Sequence, residues 1–158
     1  MPSEKADIFV LARFGDFEKF KNHFNLDDIH KKEYGHSLLH QSIAGRQFEI
    51  SLFLIDNGID INMTDEDGFT SLHYIAIYPN LTVAKEILNR GGDINIRNKY
   101  GNSALMTAIV ECKGRYYDLV ELFLQYNPDT TLKNNTGLTP IELAKKRGYE
   151  KLINMLEK

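Results

Sequence analysis

The chain of 158 residues is poor in the residue types on which several protein classes depend. It has one cysteine, Cys112, so it can close no disulfide within itself and cannot build a zinc site from several thiolates. A single thiol fits a reducing compartment. No apolar run approaches the roughly 18 residues that a membrane helix requires. The opening residues, Met1 to Phe9, lack the charged-then-apolar order of a secretory signal. There is no basic surplus either: 19 Lys and Arg stand against 22 Asp and Glu, a formal net charge of -3, which argues against a nucleic-acid binder. These absences lead us to expect a soluble, cytoplasmic chain with neither a membrane nor a nucleic acid as partner. The length fits one domain.

What is present is periodic. Glycine recurs in a turn setting at Gly35, Gly68, Gly101 and Gly137, at intervals of 33, 33 and 36. Gly58, Gly91 and Asn127 form a second ladder, and Leu39, Leu72, Leu105 and Ile141 a third, in the same register. The three extra residues of the last interval fall around Cys112, Lys113 and Gly114. After each turn glycine comes a hydroxyl residue, Ser37, Thr70, Ser103 or Thr139, able to cap the free N–H groups of a helix. A helix of about two turns is predicted next, then a break, then a longer helix. The longer helices carry apolar residues at helical spacing, as in Ile50, Phe53 and Leu54, or Val83, Ile87 and Leu88. Each stops at a residue that tolerates the left-handed conformation, and a polar loop follows.

A turn and two helices per 33 residues resemble the ankyrin repeat. Gly68-Phe69-Thr70-Ser71-Leu72-His73 and Gly35-His36-Ser37-Leu38-Leu39-His40 are similar to that family's G-x-T-P-L-H opening. Gly137-Leu138-Thr139-Pro140-Ile141-Glu142 keeps the proline and replaces the histidine; Gly101-Asn102-Ser103-Ala104-Leu105-Met106 keeps neither. The family's closing G-A-D-x-N is similar to Gly58-Ile59-Asp60-Ile61-Asn62 and Gly91-Gly92-Asp93-Ile94-Asn95. The resemblance implies an all-α ankyrin-repeat solenoid with β-hairpin-like finger loops, about five repeats including both caps. Its units would be 1–34 (an N-terminal cap whose helix pair reads as 6–24), 35–67, 68–100, 101–136 with the insertion, and 137–158 as the C-terminal cap. Such units each contact only their neighbours, and no room remains for a separate catalytic domain.

The resemblance further implies a non-enzymatic protein-binding module that recognises another protein through a concave surface of finger tips and first helices. It also implies a chain that is monomeric when unbound. The tips would be 32–36, 65–69, 98–102 and 134–138. Tyr34, Phe69 and Tyr100 stand out there, because a large ring on a rigid element buries much area at small entropy cost. The alternative, that these rings pack on their own hairpins, stays open. First-helix positions facing the groove would be Ala44, Gly45, Ile77, Tyr78, Val110 and Glu111. An apolar floor at Ile77 and Tyr78, rimmed by Asp65, Glu66, Asp67 and Lys99, would suit an interface of roughly 800 Å² per partner. His36 and Asn102 flank the same tips. In the insertion, Arg115, Tyr116 and Tyr117 are candidates, against the reading of a tolerated surface loop. A narrower expectation is an immunity protein or antitoxin that inhibits a cognate toxin or enzyme, since short ankyrin proteins resemble some bacterial proteins of that kind.

No cofactor or metal is expected. His40 and His73 occupy equivalent positions in successive units, about 8–10 Å apart, whereas metal–nitrogen bonds near 2.1 Å need donors far closer. They read as structural hydrogen-bonding residues of the turn. Lys113 and Arg115 could depress the Cys112 pKa, but neither a base nor an oxyanion site accompanies the thiol. Gly91-Gly92 lacks the following Lys-Ser/Thr of a phosphate loop. Asn62 and Asn95 match an asparagine sometimes hydroxylated in ankyrin repeats; a structural role in the loop is the expectation.

Overall fold

The computed structural model describes residues 7–158. The first six residues of the opening segment lie outside this range, and with them the first residue of the pair expected over 6–24. Among the described residues ten α-helices run in pairs: α1 (Ile8–Phe14) with α2 (Phe17–His23), α3 (Leu38–Ala44) with α4 (Phe48–Asp56), α5 (Ser71–Ile77) with α6 (Leu81–Asn89), α7 (Ala104–Glu111) with α8 (Asp118–Leu124), and α9 (Pro140–Arg147) with α10 (Glu150–Leu156). A 3-10 turn, Leu26–His30, and one two-stranded hairpin, β1 (Lys32–Glu33) and β2 (His36–Ser37), separate α2 from α3.

The hydroxyl ladder starts the first helices. Ser37 Oγ accepts from the His40 N–H at 3.2 Å while His40 Nδ1 accepts from the Ser37 N–H at 3.1 Å. Thr70 and His73 close the same reciprocal box, and Thr139 and Glu142 close it with a carboxylate. Each box satisfies two N–H groups that the helix start would leave bare. Ser103 caps α7 alone, accepting from the Met106 N–H. The second helices give way to Gly58, Gly91 and Asn127, all at positive φ.

The expected longer second helix is found in α4 and α6, nine residues each against seven in α3 and α5. It is not found in α8, with seven residues against eight in α7, nor in α10, with seven against eight in α9. In the α7–α8 pair the insertion lengthens the intervening turn. Lys113 and Gly114 both take positive φ there, and the Cys112 carbonyl accepts from the Arg115 and Tyr116 N–H groups.

The first helices stack α1 on α3, α5, α7 and α9 in order; the second helices stack α2 on α4, α6 and α8, and α10 packs on α9. The leucine ladder lies between the layers, with Leu39, Leu72 and Leu105 no more than 1% exposed. Each such leucine contributes about 1.5–3 kcal/mol relative to an exposed one. At the α2–α4 contact Phe53 meets Phe17, Phe20 and Phe24 edge-on, with centroids 5.7, 6.2 and 5.2 Å apart.

Candidate partner-binding surface

Four loops project before α3, α5, α7 and α9, and three are built by one device. Asp65 Oδ1 accepts from the Asp67 and Phe69 N–H groups. Asn98 Oδ1 does the same for Tyr100 and Asn102, and Asn134 Oδ1 for Thr136 and Leu138. A short carboxylate or amide thus closes each loop from its base. The equivalent residue of the first loop is Lys32, which cannot accept. That loop is closed instead by the β1–β2 ladder, with Lys32 opposite Ser37 and Glu33 opposite His36. Its two central residues, Tyr34 at φ 47° and Gly35 at φ 77°, both take the positive φ that a tight type I′ hairpin needs.

The fingers are joined side by side. The Lys99 N–H donates to the Asp67 carbonyl at 2.7 Å, the Asn135 N–H to the Tyr100 carbonyl at 2.9 Å, and Lys32 Nζ to the Thr64 carbonyl at 2.8 Å. Further back, Asn62 binds the Gly91 carbonyl and the Asp93 N–H, and Asn95 binds the Asp129 N–H. These two asparagines are struts between neighbouring loops. The tips therefore present a row held at both ends.

On that row Tyr34 is 84% exposed and Tyr100 is 55% exposed. Phe69 is half-buried, with its ring edge-on to His73, Tyr74 and Tyr100. Among the described residues Tyr34 makes no such ring contact, and Tyr100 makes it with the neighbouring finger. Asp67 is tied to Lys99 at 2.9 Å, and that pairing raises the Lys99 pKa. Glu66 is exposed and its side chain lies against Gly35. The Asn102 amide oxygen accepts from Asn134 and its carbonyl binds His73 Nε2.

Asp65 is not a rim residue. Its carboxyl is 7% exposed, turned inward to close its own loop and to accept from Tyr74 Oη at 2.9 Å. Tyr74 is a residue that sequence reasoning missed. Its hydroxyl also meets His36 Nδ1 at 2.9 Å, and its ring stacks on His40 at 4.7 Å. Burial and the Asp65 carboxylate push its pKa well up. The available signal was its place four residues after the Thr70 cap, one turn along the first helix. Burial holds His40 down to about 4 and lowers His73 as well, so both stay neutral. Their Nδ1 atoms are occupied in helix capping and His73 Nε2 in a link to the next finger. His40 Nε2 closes no hydrogen bond of normal geometry.

Ile77 and Tyr78 do not form a floor between the finger residues. They lie at the far end of α5, about 9 Å along the helix from Ser71. Tyr78 carries the Arg46 guanidinium over its ring at 5.7 Å. Ile77, Glu111, Arg115 and Tyr116 line a half-open cleft of about 680 Å³ at the turns between paired helices. The candidate residues thus fall into two groups, one at the fingers and one at the opposite helix ends. Cys112 is buried against the second group and donates to the Ile109 carbonyl. Burial raises its pKa, which outweighs the depression expected from Lys113 and Arg115.

Helix pairs stacked side by side, with loops joined along one edge, define an α-helical repeat solenoid. The model of the family described as ankyrin repeats (many copies) matches residues 54–108. An ankyrin repeat-containing protein of Schizosaccharomyces pombe is 37% identical over 100 residues, 63% of this chain and 46% of that protein. Putative ankyrin repeat proteins of fowlpox virus and Rickettsia felis are 31% and 34% identical, over 63% and 65% of this chain and 54% and 48% of their own lengths. Over these residues the chain carries ankyrin repeats and is similar to these ankyrin-repeat proteins. It matches about half the length of these relatives. Among the described residues no helix is long and apolar enough to cross a membrane.

Proposed function

We propose that this chain holds a partner protein on its finger row, with Tyr34 and Tyr100 as the anchoring side chains and Phe69 and Lys99 beside them. Ankyrin repeats generally mediate protein–protein interaction, which is the background for this reading. The observation that carries it is Tyr34. A bulky aromatic occupies a left-handed turn position suited to asparagine or glycine, and it stays 84% exposed with no ring contact among the described residues. An aromatic held out on a braced loop offers area to a partner at little ordering cost. Glu66 and the Asp67–Lys99 pair supply a polar rim, which governs association rate and selectivity more than affinity.

The test is affinity capture from lysate of the source cells, followed by mass spectrometry, with a Tyr34→Ala, Tyr100→Ala double variant as control. The wild-type chain should retain a partner that the folded double variant loses. A folded double variant that retains the same partner at full strength refutes the placement.

A further inference from the structure

The cleft at the far helix ends is built by departures from the repeat. One wall is the turn that the insertion lengthens, which contributes Lys113, Arg115 and Tyr116. That wall is folded: Tyr117 Oη donates to the Gly114 carbonyl, Lys151 Nζ sits 4.6 Å over the Tyr117 ring, and Gly114 abuts the Tyr149 ring. The floor is apolar, with Ile77, Leu81 and Leu119, and Leu81 and Tyr116 remain 41% and 68% exposed.

The charges on the cleft are unusual. Arg46, Lys113 and Arg115 line it, and none forms an ion pair among the described residues. Among the described residues, Arg46 and Lys113 are two of the four non-glycine residues at positive φ, 58° and 51°. Long cations thus sit where glycine would be relaxed, and both point to one cleft. Arg147 adds its field at Cys112. The opposing carboxylates are Glu111 and Asp118. Asp118 is the first residue of α8, where the helix N-terminus already offsets its charge. The balance is cationic in a chain whose net charge is -3.

We propose that this cleft is a second docking site, for a peptide segment of a partner protein in which an apolar anchor is flanked by carboxylates. The anchor enters between Ile77, Leu81 and Tyr116. The carboxylates meet Arg46 on one side and Lys113 and Arg115 on the other, where guanidinium groups favour two-point contact. The site is independent of the finger row and stands whether or not a partner binds there.

The probes are fluorescent synthetic peptides added to the full chain: Leu-Phe between runs of Asp and Glu, the same core between runs of Lys, and the acidic runs around Ser-Ser. Anisotropy reads affinity and amide NMR reads location. The acidic Leu-Phe peptide should bind with a dissociation constant below about 1 mM and shift amides around Ile77, Lys113 and Tyr116. Added salt should weaken it, and the other two peptides should bind about tenfold less well or worse. A Lys113→Glu, Arg115→Glu variant should lose about tenfold. Arg46→Gly should bind less well while its thermal midpoint rises, a combination no folding defect produces. The Tyr34→Ala, Tyr100→Ala variant should bind the peptide unchanged. Equal binding of the basic peptide, amide shifts confined to the fingers, no binding of the acidic peptide at about 1 mM, or occupation of the cleft by a second copy of the chain would each overturn the proposal.

Discussion

Replacing Tyr34 by asparagine should make the protein more stable. Left-handed backbone costs an ordinary L-residue roughly 1–2 kcal/mol. Asparagine is several-fold enriched in that region, which relieves a good part of the cost, so Tyr34→Asn should add about 0.5–1 kcal/mol. Little is lost in exchange: Tyr34 is 84% exposed, and among the described residues its side chain makes no hydrogen bond, ion pair or ring contact. In a chain of this length about 1 kcal/mol moves the thermal midpoint by roughly 2–4 °C. Urea denaturation followed by circular dichroism should show a higher midpoint at an unchanged slope. Tyr100→Asn is the control. Tyr100 is not at positive φ and its ring meets Phe69 at 6.3 Å, so that variant should gain nothing. An unchanged or lowered midpoint in Tyr34→Asn would refute the claim that Tyr34 is held against its own backbone preference. That would remove the main support for its role as an anchor.

Acid should destabilise the fold before carboxylates protonate. His40, held at about 4 by burial, stays neutral when folded but takes up a proton near 6.5 when unfolded, so stability is lost as pH falls from 6.5 to about 4 and is flat above. His40 alone is worth about 3 kcal/mol across that window, and His73 shifts the same way; melting temperatures that stay level from pH 7 to 4 would contradict this. Gly45→Ala should cost about 2–3 kcal/mol, because a Cβ there would lie 1.9 Å from the Arg13 carbonyl oxygen and force α1 off α3; a urea midpoint equal to the wild type would contradict it. Phe20→Ala empties a fully buried site beside Phe24 and Phe53 and should cost about 3–5 kcal/mol. Hydrogen exchange should then rise over α1 and α2 and leave α7 to α10 protected, since each unit touches only its neighbours; uniform loss along the chain would count against that.

The glycine and hydroxyl ladders could be read from the chain because their chemistry is local. Ser37, Thr70, Ser103 and Thr139 cap helices through atoms three residues away, and Gly58, Gly91 and Asn127 turn the backbone on their own φ. The histidines were legible as turn residues for the same reason. The site was legible only in part. Tyr34 and Tyr100 are exposed, the outcome the sequence left open, whereas Asp65 is spent inside its own loop on Tyr74, a partner nine residues on. Ile77 and Tyr78 close the helix that Ser71 opens, and the rigid rise of that helix carries them away from the fingers.

The repeat and the caps of the first helices are written in the chain itself. Each follows from contacts within a few residues or from a spacing that returns every 33. How the exposed residues are grouped emerges only when the units stack. Which finger braces which, which carboxylate is turned inward, and which cations face one cleft all depend on atoms from neighbouring units, brought together when apolar faces are removed from water. That force acts on area and carries no label for particular polar side chains, so their pairing appears only once the helices have stacked.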